Sequence, residues 1–137
     1  MKNNKIIKIL LVSMLSLFLV SCGSSKSSLK DVSLKGLKKI DIRTLPVDRD
    51  IDKIMTDSEN MASLIEYINT IKGKKIENSN FQVFGADSLT IEMRYEDEAN
   101  VKRNFYSNLK MSDGENNYFE ITQEEYDSVI DKIKELK

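Results

Sequence analysis

From Lys39 onward the hydrophobic positions switch between two periods, and each switch predicts an element. Lys39-Ile40-Asp41-Ile42-Arg43-Thr44 alternates apolar and polar side chains, with β-branched residues among them, the pattern of a half-buried strand. Pro46 stops or edges it. Asp48-Arg49-Asp50 reads as a turn, and Ile51 to Met55 as a short returning strand. The period then changes to that of a helix: Met61, Leu64, Ile65, Ile68 and Ile71 fall on one face. Thr56 and Glu59 supply a T-x-x-E capping box at its start, and Gly73 stands where a C′ glycine belongs. The expected helix spans residues 57–72, with Lys72, Lys74 and Lys75 gathered at its negative end.

Residues 81–84, Phe-Gln-Val-Phe, are a candidate strand. Leu89, Ile91, Met93 and Tyr95 alternate with Thr90, Glu92, Arg94 and Glu96, a clear one-sided strand. Residues 96–100 are polar and form a turn; residues 101–109 alternate less cleanly and pair back as a hairpin. A second turn occupies residues 112–117, where Gly114 is free to take positive φ, and residues 118–121 form a short strand. Thr122 and Glu125 repeat the capping box before a stripe of Tyr126, Val129, Ile130, Ile133 and Leu136. Strands joined by short turns are antiparallel, and two amphipathic helices both need a sheet face. The fold class expected is therefore α+β: an antiparallel sheet of about four to five strands with two helices packed on one face.

The first thirty residues obey neither period. Lys2, Lys5 and Lys8 precede an apolar run from Ile9 to Val20 broken only by Ser13 and Ser16. That run is too short for a mature membrane-spanning helix, which needs about 20 residues, and has the length of an export-signal core. It ends at Leu19-Val20-Ser21-Cys22, which resembles the lipobox of bacterial lipoproteins. The resemblance implies transfer of a diacylglyceryl group to the Cys22 thiol and cleavage between Ser21 and Cys22. A thioether linkage requires sulfur, which a serine at this position would not provide. One acyl chain anchors a protein only marginally, whereas two give a durable hold. Gly23-Ser24-Ser25-Lys26-Ser27-Ser28 then has the composition of a flexible tether. Three parts follow: a signal peptide over 1–21, a lipidated cysteine with its tether over 22–37, and one folded domain over 38–137.

The order of elements behind Cys22 resembles a set of small Gram-positive lipoproteins of unknown function. The matching phrases are Ile54-Met55-Thr56-Asp57-Ser58-Glu59 and Glu120-Ile121-Thr122-Gln123-Glu124-Glu125-Tyr126. They are mostly helix caps, and the resemblance brings no activity and no site residues.

Charge and composition remove several functions. The chain has net charge −1; without the three lysines of the signal, 18 basic residues face 22 acidic ones, giving −4. Nucleic-acid binding depends on Lys/Arg contacts to phosphate, so no nucleic-acid partner is expected. The sequence has no histidine and one cysteine. With Cys22 carrying lipid, Ser–His and Cys–His nucleophile pairs and His/Cys zinc sets are excluded. No cofactor-binding motif is present, no cofactor is expected, and the protein is not expected to be an enzyme; a carboxylate pair, as in an envelope hydrolase, is the one catalytic arrangement left. Asp48, Asp50, Asp52 and Glu59 occupy EF-hand positions 1, 3, 5 and 12, but the sixth position is Lys53 in place of glycine, and exposed turn acids are the simpler reading. The same holds for Asp113, Glu115 and Asn117, where Tyr118 takes the glycine position.

What survives is a lipid-anchored, non-catalytic binding or accessory module on the outer face of the cell membrane. Its partner would be a protein or peptide. The alternative is an immunity or inhibitor lipoprotein that sequesters an antimicrobial peptide or toxin. The candidate binding face is the side of the sheet away from the helices, with Thr90, Glu92 and Arg94, and Tyr106 and Tyr118 beside them.

Overall fold

A computed structural model describes residues 29–137. The expected signal peptide, the expected cleavage site at Ser21 and Cys22, and the part of the expected tether up to Ser28 lie outside the described residues. The elements run β1 (Leu37–Leu45), β2 (Lys53–Met55), α1 (Ser58–Thr70), β3 (Lys74–Ile76), β4 (Ser88–Tyr95), β5 (Val101–Tyr106), β6 (Lys110–Ser112), β7 (Tyr118–Glu120) and α2 (Gln123–Glu135). The strands form one sheet in the order β2-β1-β4-β5-β6-β7-β3, and every neighbouring pair is antiparallel. The class is α+β, as the patterning predicts, but the sheet has seven strands instead of four to five.

The register sorts every strand residue to one of two faces, because directly opposed residues project the same way. Ile40 and Ile42 of β1 face Met93 and Ile91 of β4; Leu89 faces Phe105, which faces Met111, which faces Phe119. These side chains are buried together with Met61, Leu64, Ile65 and Ile68 of α1 and Val129 and Ile133 of α2. Both helix stripes therefore pack on this inner face. Lys53 of β2 donates from Nζ to the carbonyls of Ile133 and Leu136 at 2.9 and 2.7 Å, filling the unpaired C-terminal end of α2 with a cation.

The helix starts differ from the expected pair in one respect. At α2 the capping box is complete: Thr122 Oγ1 accepts from the Glu125 amide at 3.1 Å, and Glu125 Oε2 accepts from the Thr122 amide at 2.8 Å. At α1 the cap is Asp57, whose Oδ1 accepts from the Asn60 amide at 2.9 Å. The helix begins one residue late, so Thr56 is no cap and Glu59 closes no box. Asp57→Ala and Thr122→Ala are each expected to lower stability by about 1 kcal/mol, while Thr56→Ala leaves it unchanged. Equilibrium denaturant melts compare the three. Gly73 is likewise not a C′ residue: α1 ends at Thr70, and Gly73, with φ 62°, leads into β3.

The segment 81–84 is not a strand. A single 3-10 turn over Asn78–Asn80 precedes it, and the connection from β3 to β4 carries Phe81 onto the outer face of the sheet. The tether also ends earlier than its expected boundary at 37. A strap from Leu29 to Ser33 lies against the body, with Val32 buried. The Asn69 side-chain amide clasps Val32 from both sides: Val32 N donates to Oδ1 at 2.7 Å, and Nδ2 donates to the Val32 carbonyl at 3.0 Å. Tyr95 OH donates to the Ser33 carbonyl at 2.7 Å, and Lys72 pairs with Asp31. Among the described residues no helix is long and apolar enough to cross a membrane.

Candidate functional site

The outer face is built by the alternate residues of the same strands. Reading across it in register, Arg43, Thr90, Asn104, Ser112 and Tyr118 form one row, and Asp41, Glu92 and Lys102 form the next. Arg94 lies opposite Lys39, and Tyr106 between Ser88 and Lys110. Thr90, Glu92, Arg94, Tyr106 and Tyr118 thus all project from this one face.

Its chemistry divides into two halves. Toward β1 the side chains form an ionic lattice. Arg43 Nε donates to Asp41 Oδ1 at 2.7 Å; Arg94 Nη2 donates to Glu92 Oε2 at 2.9 Å and lies 3.7 Å from Asp41 Oδ2. Lys102 Nζ is 3.7 Å from Glu92 Oε1. The hydrogen bond and charge of Asp41 push the Arg43 guanidinium above its ordinary value. Asp41 and Glu92 are mostly covered by these neighbours, with side chains 12% and 19% exposed. Glu92 is therefore a pivot of the lattice, not a freely solvated strand residue. Next to it, Thr90 Oγ1 donates to Asn104 Oδ1 at 2.9 Å and Asn104 Nδ2 donates to Ser112 Oγ at 3.0 Å.

Toward β7 the face is aromatic. Phe81 stacks on Tyr118 with ring centroids 4.2 Å apart and meets Tyr106 edge-on at 5.5 Å. Both geometries suit the ring quadrupoles, and such pairs add about 0.5–1.5 kcal/mol beyond burial. All three rings stay partly exposed. Phe84, three residues on, is fully exposed.

The turn acids do not assemble. Asp48 Oδ1 accepts from the Asp50 amide, and Asp52 Oδ1 accepts from the Thr44 amide and hydroxyl at 2.7 and 2.6 Å, bracing the β1–β2 connection. Glu59 lies in the first turn of α1. Asp113 organises its own turn: its carboxylate accepts from the Glu115 and Asn117 amides and from Asn117 Nδ2. Burial pushes the Asp113 carboxyl up, but these hydrogen bonds outweigh it and hold the group below the usual carboxylate range. Among the described residues no three acidic side chains gather as a metal site.

Sequence reasoning passes over two residues. Asp41 reads as an ordinary solvated position in an alternating strand, yet it is 9% exposed. Arg103 stands between Val101 and Phe105 at a position whose parity points inward, and it is 4% exposed. A charged residue at an inward position was the signal available for it.

No protein-family model, curated protein or solved structure matches the chain.

Proposed function

We propose that the chain is a lipid-anchored, non-catalytic binding module held at the outer face of the cell membrane, which engages a protein or peptide through the outer face of its sheet. The observation that supports it is the surface carrying Thr90, Glu92, Arg94, Tyr106 and Tyr118. Both helices pack on the opposite side; this face is met by the Phe81 crossing and, at Glu92 and Lys102, by Asn100 and Gly114 of the adjoining turns. It pairs an ordered array of charges, which sets orientation, with an aromatic group of the kind that dominates contact energies. Anchoring through Cys22 raises local concentration at the membrane, which makes a weak contact effective.

Two experiments test the two halves. Cys22→Ser is expected to abolish incorporation of a labelled fatty acid and to leave the signal uncleaved; equal labelling of wild type and variant refutes the anchor. A photo-crosslinking residue at Thr90 or Tyr118 of the anchored protein is expected to capture a partner, and one at Glu66 on the exposed side of α1 is not. Capture from Glu66, or from Asp48 or Asp113 in the turns, in place of the sheet positions overturns the sheet-face reading. Exposed Lys102 is the better position for removing a charge, by Lys102→Gln, since Glu92 keeps Arg94, whereas altering Glu92 strands Arg94 and Lys102 and altering Arg43 takes the 2.7 Å partner from Asp41.

A further inference from the structure

Arg103 is a buried cation without an ionic partner. Its Nη1 donates to the Lys102 carbonyl at 3.0 Å and Nη2 to the Lys30 carbonyl of the strap at 2.7 Å, while Nε has no partner. The ion pairs among the described residues do not include it. A guanidinium carries five N–H donors in a planar fork suited to a carboxylate. Two of them meet main-chain carbonyls, and the buried Nε–H meets nothing.

Beside Arg103 lies a cavity of about 300 Å³, between the strap and the turns that join β4 to β5 and β6 to β7. Four acids line it. Two are committed: Asp31 to Lys72, and Asp113 to its own turn. Glu98 and Glu115, one on each turn, are exposed, and their carboxylates take part in no ion pair or side-chain hydrogen bond among the described residues. The lining therefore holds four acids against the two cations Lys30 and Arg103. A simple anion reaching Arg103 meets an acidic wall, and a simple cation reaching the acids meets a buried guanidinium. A molecule bearing both charges satisfies both. The volume sits at the low end for small-molecule sites, about 300–1,000 Å³, and suits a ligand of few atoms.

We propose that this cavity binds a small zwitterion of the amino-acid class, its carboxylate on the Arg103 guanidinium and its ammonium between the Glu98 and Glu115 carboxylates. The site uses the helix side and end of the sheet, and stands independently of the outer-face reading.

The test is a titration of the full chain in detergent micelles with glycine, followed through the amide resonances of Val101, Arg103 and Asn117. Acetate and methylammonium serve as the two half-ligands. Glycine is expected to give saturable shifts, at least tenfold tighter than either half. The double variant Glu98→Gln with Glu115→Gln, at exposed positions that leave the fold intact, is expected to weaken glycine at least fivefold. Arg103→Lys, which keeps charge but not the fork, is expected to weaken it at least tenfold. Acetate binding as tightly as glycine makes the cavity an anion site and overturns the proposal; equal binding of methylammonium makes it a cation site and does the same. No saturable shift, or a double variant that binds like wild type, also overturns it.

Discussion

Gly73→Ala is expected to lower stability by about 2–4 kcal/mol, from a left-handed backbone cost of roughly 1–2 kcal/mol and an overpacking cost of similar size. Gly73 has φ 62°, and a Cβ there would sit 2.9 Å from Phe119 Cβ and 3.1 Å from the Glu120 carbonyl oxygen. Neither neighbour is a flexible side-chain tip. Phe119 is fully buried, and Glu120 opposes Lys74 at the start of the β3–β7 pairing. The added methyl group therefore pushes apart the edge strand and a core aromatic at once. Gly36 provides the control: it also has positive φ, 75°, but nothing lies within 4 Å of its Cβ position. Gly36→Ala is expected to carry the backbone cost alone. Denaturant midpoints compare the two, and equal losses would show that the contact with Phe119 relaxes freely.

Long patterns were legible; of the four three-residue strands, β2 and β7 could be placed because each lies between a turn and a helix cap, whereas β3 and β6 could not. β4 alternates over eight residues and both helices hold their stripes for three turns, so one reading of period suffices. β3 and β6 are three residues each, too short to show a period. The turn from β5 to β6 is made by Ser107 to Leu109, with Leu109 at φ 63° and no glycine to mark it. Residues 81–84 carry a strand's composition because Phe81 packs on a sheet, but across its face instead of along its edge. The strap defeats composition in another way. Asn69 and Lys72 around the end of α1, Tyr95 in β4 and Arg103 in β5 hold it from three other parts of the chain, so nothing local separates it from tether. The outer face could be assembled from alternation, since parity alone puts Thr90, Glu92 and Arg94 together. Their pairing with Asp41 and Lys102 depends on which strands are neighbours, which no local pattern contains.

Arg103→Met is expected to abolish glycine binding while changing stability by no more than about 1 kcal/mol. Arginine stays charged in proteins, so the folded chain carries the cost of taking this cation out of water at any working pH. Burial pushes the guanidinium below its ordinary value, and the carboxylates of Asp113, Glu115 and Asp31 offset that only in part. Replacing a buried ion pair or triad by apolar side chains of similar volume is commonly neutral or stabilising by about 1–4 kcal/mol, which bounds what removing this one ion returns. Against this stand the two carbonyls, of Lys30 and Lys102, that lose a donor. Each such bond to a charged donor contributes about 1.5–3 kcal/mol; Lys30 lines the cavity, where water can replace the lost donor, and Lys102 does not. The gain and the loss therefore nearly cancel. Paired denaturant melts and glycine titrations read both quantities on one variant. A loss of about 2 kcal/mol or more, with protease cleavage appearing near Lys30, would make Arg103 a clamp for the strap and not a binding group. Stability held or raised with loss of binding is the opposite signature, that of a charge kept in the fold for the sake of what it binds.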